Sequence, residues 1–175
     1  VLLATWLCAS QAFAQGLESA VVRITSKEGD RSKTGSGFVV QLTPELAYIV
    51  TASHVIEGDE APQVEFYTKR DQPVAATVKA AEVGDPKGLA LLVVSGKDAI
   101  APNLSTLALD ASLQLQGGDE VTAIGFPRMG GDWAVSKGHM SARQGRELIF
   151  VMPVGEGNSG GPLLMNGKVI ALVTS

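Results

Sequence analysis

Gly155-Glu156-Gly157-Asn158-Ser159-Gly160-Gly161-Pro162-Leu163-Leu164 sets a single serine among four glycines and then runs directly into apolar residues. Glycine tolerates backbone angles closed to other residues, so such a segment can turn sharply. It can then aim its N–H groups at the point its serine hydroxyl faces. Acyl transfer needs this convergence, because a developing oxyanion must be met by donors already in place. The donors would be the N–H groups of Gly157 and Ser159, and the Ser159 hydroxyl would be the nucleophile. Pro162 and the apolar run after it read as a strand, not as a helix.

Strand signals continue outward from this segment. Short β-branched or alternating runs bounded by Gly, Pro, Asp or Asn occur at Ala20–Thr25, Gly37–Gln41, Ala47–Thr51, Val64–Tyr67, Val74–Ala80, Leu89–Val94, Glu120–Ile124, Trp133–Ser136, Leu148–Met152, Pro162–Met165 and Val169–Thr174. No long stretch has helical period, and strands without intervening helices favour a sandwich or barrel over a parallel α/β sheet. Twenty glycines, eight prolines and 5% aromatics suit many tight turns. The polar stretch from Ser95 to Ser105 reads as a linker between two β lobes, residues 17–100 and 101–175. Apolar residues make up 45% of the 175, enough for a core. A net charge of −4 and a pI near 5.2 argue against nucleic acid or anionic lipid as partner.

A serine hydroxyl is a weak nucleophile until a base takes its proton, and the chain offers two histidines. His54 lies at the end of the apolar run Ile49-Val50-Thr51-Ala52-Ser53, where a rigid scaffold can present a base to a cleft. His139, in Lys137-Gly138-His139-Met140, sits among polar residues and reads as a solvated group on a turn or strand edge.

The ends of the chain carry their own expectations. Residues 1–14 are apolar and close on Ala12-Phe13-Ala14, the small-x-small pattern of a signal-peptidase site. They read as a secretory leader that lacks its initiator Met and basic region, too short for a bilayer span of roughly 20 residues. Cys8 would leave with it; bulky Leu7 before it argues against a lipid anchor. A mature chain without disulfides fits the bacterial periplasm or the extracellular space. At the other end, the strand signal stops at Ser175 without a turn or cap, as if a further strand followed.

Taken together, these motifs resemble the trypsin-like, chymotrypsin-fold serine peptidases, most closely their bacterial high-temperature-requirement branch. Gly35-Ser36-Gly37-Phe38 is similar to the strand before that branch's histidine, Thr51-Ala52-Ser53-His54-Val55 to its base motif and Leu89-Ala90-Leu91-Leu92 to the strand after its aspartate. Ala123-Ile124-Gly125-Phe126-Pro127 is similar to its Ala-Ile-Gly-x-Pro turn, and Gly157 to Leu163 to its nucleophile loop. The resemblance implies an all-β fold of two antiparallel six-stranded-type barrels, the second C-terminally truncated. It implies Ser159 as nucleophile, His54 as base and acid, Gly157 and Ser159 as oxyanion hole, and a polypeptide substrate with no cofactor and no metal. The uncharged Met152, Pro153, Val154 and Gly155 would floor the specificity pocket and accept a small or aliphatic side chain.

One position departs from the pattern. The family's triad carboxylate stands immediately before the Leu-Ala-Leu-Leu strand, and here that residue is Gly88. Asp85 is the nearby substitute, three residues upstream, a span of about 10 Å if extended. Loss of the carboxylate costs about 10⁴-fold in other serine peptidases. Two readings follow: an exported serine endopeptidase, or a weakened relative that binds peptides by strand addition. Asn158 in place of an aspartate before the serine argues against activation by a freshly cut N-terminus. The G-x-S-x-G of an α/β-hydrolase elbow is rejected, since that elbow needs a following helix and a later histidine. Two widely separated histidines make no zinc site, and no Lys-Ser/Thr pair supports a phosphate loop.

Overall fold

A computed structural model describes residues 16–85, 87–129 and 131–174; the leader reading for residues 1–14 lies outside them. Among the described residues the regular secondary structure is almost entirely antiparallel strand, as the turn-rich composition predicts. β1 (Val21–Glu28), β2 (Arg31–Leu42), β3 (Leu46–Ala52), β4 (Gln63–Phe66), β5 (Lys69–Ala75), β6 (Thr77–Ala81) and β7 (Leu89–Ser95) form one sheet in the order β5-β4-β1-β2-β3-β7-β6. β8 (Glu120–Gly125), β9 (Ala134–Gln144), β10 (Glu147–Val151), β11 (Pro162–Met165) and β12 (Lys168–Leu172) form a second, ordered β10-β9-β8-β11-β12.

The run expected as one strand, Val74–Ala80, is divided between two edges of the first sheet. β5 pairs with β4 and β6 with β7, and between them the buried Ala76 donates its N–H to Pro62 O at 2.8 Å. A single chain segment thus turns the corner from one edge to the other and brings the sheet round on itself. Counted that way the first barrel has six strands. Closure of this kind removes exposed edges. The second sheet has five strands and is a half-barrel. β9 is much longer than the expected Trp133–Ser136, because its polar residues continue the ladder on the exposed face. His139 accordingly stands on a strand paired on both sides, opposite Glu120 and Val151, and not at an edge; it is exposed, with Nδ1 3.2 Å from Gly118 O.

β2 explains how the halves are joined. Its alternate residues serve different cores: Val39 packs with Ile24, Ile49, Val64, Phe66 and Leu92 inside the first barrel. Phe38, on the opposite face, packs with Val21, Ile124, Phe126, Trp133 and Leu164, a cluster drawn from both sheets. Trp133 anchors that cluster. Its indole N–H donates to Val21 O at 2.8 Å, and its ring meets Phe126 and Tyr67 edge-on at 4.5 and 5.3 Å between centroids. Beside it Arg23 pairs with the buried Glu65 and, at 3.2 Å, with Asp132 across the two sheets.

The connection between sheets meets β12 through a parallel bridge, Leu109 to Val169, where Asp110 N donates to Val169 O at 2.9 Å. The Ser112 hydroxyl and the Lys168 ammonium hold the Asp110 carboxyl down from the usual 3.8 to about 2. A lowered folded-state value contributes stability above the unfolded value that disappears as pH falls through the folded one. Urea unfolding of Asp110→Asn is therefore expected to show a small deficit against wild type at neutral pH. That deficit should close between pH 3.8 and about 2.

Candidate active site

The strand carrying Thr51 and Ala52 ends in a single 3-10 turn, Ser53–Val55, and the middle residue of that turn is His54. Both of its neighbours are tied down. Ser53 N donates to Gly88 O at 2.8 Å and Ser53 Oγ to Asp85 O at 2.6 Å, while Val55 O accepts from Ser26 Oγ at 2.5 Å. The imidazole, half-buried, therefore leaves a backbone with little freedom.

Ser159 is held from the other sheet's side. Its carbonyl accepts Ser36 N at 2.8 Å, and the next residue, Gly160, donates to Val173 O at 2.8 Å. Asn158 N closes a turn on Gly155 O at 3.0 Å and Gly161 N another on Asn158 O at 2.9 Å. Gly157 (φ 97°) and Gly160 (φ 82°) occupy the left-handed region, so these two of the four glycines around Ser159 are required by backbone shape. Space requires them as well: a Cβ on Gly157 would stand 2.0 Å from Phe126 O, and one on Gly160 2.2 Å from Thr51 Oγ1.

The strut between the halves is Ser36, wholly buried in β2. Its hydroxyl donates to Gly157 O at 2.7 Å and accepts Phe126 N at 3.2 Å, while its carbonyl accepts Thr51 Oγ1 at 2.7 Å. In the sequence, Gly35-Ser36-Gly37 stands out only through its resemblance to a family strand, which gives the serine no task. Its only local signal is a polar residue in a run that is otherwise buried. Gly35 has its own reason, since a Cβ there would lie 2.6 Å from Val55 Cγ1 and 3.2 Å from Ser159 O. The close approach of β2 to both the histidine turn and the serine loop depends on that missing side chain.

His54 and Ser159 border one open cleft of about 620 Å³, with Val55, Gly157, Ser32 and Thr34 among its walls. The structure thus brings together residues 105 positions apart in the chain. Glu156 and Arg128 close the rim with a 2.7 Å ion pair, both side chains about three-quarters exposed; a pair so hydrated contributes little to stability. Met152 and Val154 border a separate groove beside Leu163 and Val173. Pro153 O accepts Ser136 Oγ, and Gly155 supplies the turn under Asn158.

Asp85 borders a neighbouring pocket with His54, but its Oδ1 accepts Lys87 N at 2.9 Å and its backbone carbonyl accepts Gly88 N and Ser53 Oγ. It is the cap of the turn that carries Gly88 past the histidine. Among the described residues no cluster of His, Cys, Asp and Glu could hold a metal ion, and no helix is long and apolar enough to cross a membrane.

This fold, with a glycine-rich serine loop and a histidine turn facing one groove from two sheets, defines a class. Residues 35–172 match the model of the trypsin-like peptidase domain, and the chain belongs to that family. Among curated relatives it is 35% identical over 163 residues to a probable periplasmic serine endoprotease, DegP-like, of Pseudomonas fluorescens, covering 84% of this chain and 31% of that protein. It is 36% identical over 154 residues to the Halomonas elongata protein of the same name, covering 82% of this chain and 29% of the relative. The chain therefore spans about a third of the length of these relatives. The crystal structure of the serine endoprotease from Yersinia pestis superposes with a TM-score of 0.70 at 26% identity, over 93% of this chain and 56% of that one. A protease of M. tuberculosis in its active form shares the fold at a TM-score of 0.71 and 24% identity, over 96% of this chain and 75% of that one.

Proposed function

We propose that the protein is an exported serine endopeptidase that hydrolyses peptide bonds through an acyl-enzyme. The observation that carries this reading is the shared cleft of His54 and Ser159. In the reaction Ser159 Oγ attacks the carbonyl carbon of a bound peptide and His54 takes the hydroxyl proton. The oxyanion is met by the N–H groups of Gly157 and Ser159. Collapse of the tetrahedral intermediate expels the amine, which receives its proton from His54. Water, deprotonated by the same imidazole, then attacks the ester and frees Ser159. The uncharged segment Met152 to Gly155 supports a preference for a small or aliphatic residue before the cleaved bond. Export is supported by the apolar leader-like start and by relatives named periplasmic.

A fluorophosphonate probe tests the proposal, because it phosphonylates only a serine activated by its site. The expected result is one adduct on Ser159, located by peptide mass, and none on Ser159→Ala. A protein that stays unlabelled while remaining folded would favour the second reading, a peptide-binding relative with its catalytic function lost. That alternative rests on Gly88.

A further inference from the structure

The residue expected to be the triad carboxylate is a glycine, and the structure shows what stands in its side-chain position. A Cβ built on Gly88 would lie 2.7 Å from Glu82 Cβ, with Glu82 O and Asp85 O at 3.0 Å. The stem of Glu82, entering from the end of β6, thus takes the place that a side chain on residue 88 would fill. The ladder accounts for this. β6 and β7 pair through Ala81 and Ala90, Glu82 N donates to Leu89 O at 2.9 Å, and Glu82 Oε2 accepts Leu89 N at 2.7 Å. On the other side of the same segment Gly88 O accepts Ser53 N at 2.8 Å, one residue before His54. Glu82 and His54 border one pocket of about 380 Å³.

From this juxtaposition we infer that Glu82 is the positioning residue for His54, replacing the aspartate missing at residue 88. The inference rests on the serine-peptidase reading above. A positioning carboxylate must hold the imidazole by one ring N–H so that the other nitrogen faces the serine, and must stabilise the imidazolium that forms. Glu82 keeps one oxygen on Leu89 N, which anchors the group; in the inferred arrangement its other oxygen, Oε1, accepts from the imidazole. The Glu82 Cβ stands 2.7 Å from where a Cβ on residue 88 would lie, and the extra methylene of glutamate over aspartate recovers part of that displacement. The other acids around the pocket are committed elsewhere or rooted elsewhere. Asp59 accepts Lys27 N and Ala61 N, Asp85 caps Lys87 N, and Glu57 and Glu60 follow the histidine on its own loop. The glycine and the glutamate form a matched pair, since any side chain at residue 88 would displace Glu82.

The test is the second-order rate of fluorophosphonate labelling as a function of pH. Glu82→Gln keeps the stem and an acceptor for Leu89 N, so its unfolding midpoint in urea is expected to match wild type. Its labelling rate is expected to fall about 10²–10⁴-fold. The midpoint of its pH–rate profile should move to lower pH, because the anion that favours imidazolium is gone. Glu82→Gly combined with Gly88→Asp should label at least about tenfold faster than Glu82→Gly alone, with the carboxylate now supplied from residue 88. Labelling of Glu82→Gln within about threefold of wild type, with an unmoved profile, overturns the inference and leaves the peptidase reading standing. A loss confined to Asp85→Asn overturns it in favour of Asp85. A wild-type protein that takes no label removes the peptidase reading and this inference with it.

Discussion

His54→Ala is expected to lower kcat/KM for peptide hydrolysis by about 10⁴–10⁶-fold, or about 5–8 kcal/mol of barrier. At neutral pH the serine hydroxyl retains its proton unless a base accepts it during attack, and the departing amine likewise needs a proton donor. In the proposed reaction the imidazole performs both transfers, so its loss raises both barriers. The remaining rate would come from substrate binding and from the N–H donors proposed at Gly157 and Ser159. Because the two residues act as a unit, His54→Ala combined with Ser159→Ala should be scarcely slower than either single variant. The fold should survive. The turn Ser53–Val55 is held by backbone and serine bonds, and a half-buried side chain truncated at the surface changes stability by about 1 kcal/mol or less. Steady-state kinetics with a peptide anilide, alongside urea unfolding, measures both quantities. A His54→Ala protein within tenfold of wild type would remove the imidazole from the mechanism.

Gly160→Ala should be strongly damaging. Its φ of 82° costs an alanine about 1–2 kcal/mol. The added methyl would also meet Thr51 Oγ1 at 2.2 Å, Ser36 O at 2.3 Å and Ala52 N at 2.9 Å. These atoms belong to the middle of β2 and to β3, which cannot yield without opening the first barrel. The serine loop must move instead, breaking the Gly160 N to Val173 O bond and shifting Ser159 from the histidine. The expected outcome is a loss of about 3–5 kcal/mol in urea unfolding together with loss of fluorophosphonate labelling. Gly145→Ala provides the comparison. Gly145 has φ 61° with nothing near a prospective Cβ, so it should lose only about 1–2 kcal/mol and label normally. Equal behaviour of the two variants would show that close packing under the serine loop is unimportant.

The site was partly legible because its chemistry is written in short motifs. A serine between glycines and a histidine at a strand end announce themselves by residue type, and the turn-rich composition pointed to β structure. Lengths of strands were less legible. β9 runs to Gln144 on residues that are polar because they face water, and the corner at Ala76 hides inside what reads as one strand. Ser36 and Glu82 were illegible as site residues. Ser36 matters through two bonds to a loop about 120 residues away, and Glu82 through its place across a strand from Gly88. Neither relation has a local signature.

What the sequence by itself determined are the properties that depend on neighbouring residues: which segments extend, where the chain turns, and which side chains are candidates for nucleophile and base. The tertiary structure alone decided which face of β2 packs on which core, that His54 and Ser159 share a cleft, and that a glutamate from the adjoining strand fills the position left by Gly88. The physical reason is that strand pairing and side-chain packing join residues without regard to their separation along the chain, so the closest contacts of the site have no expression in local order.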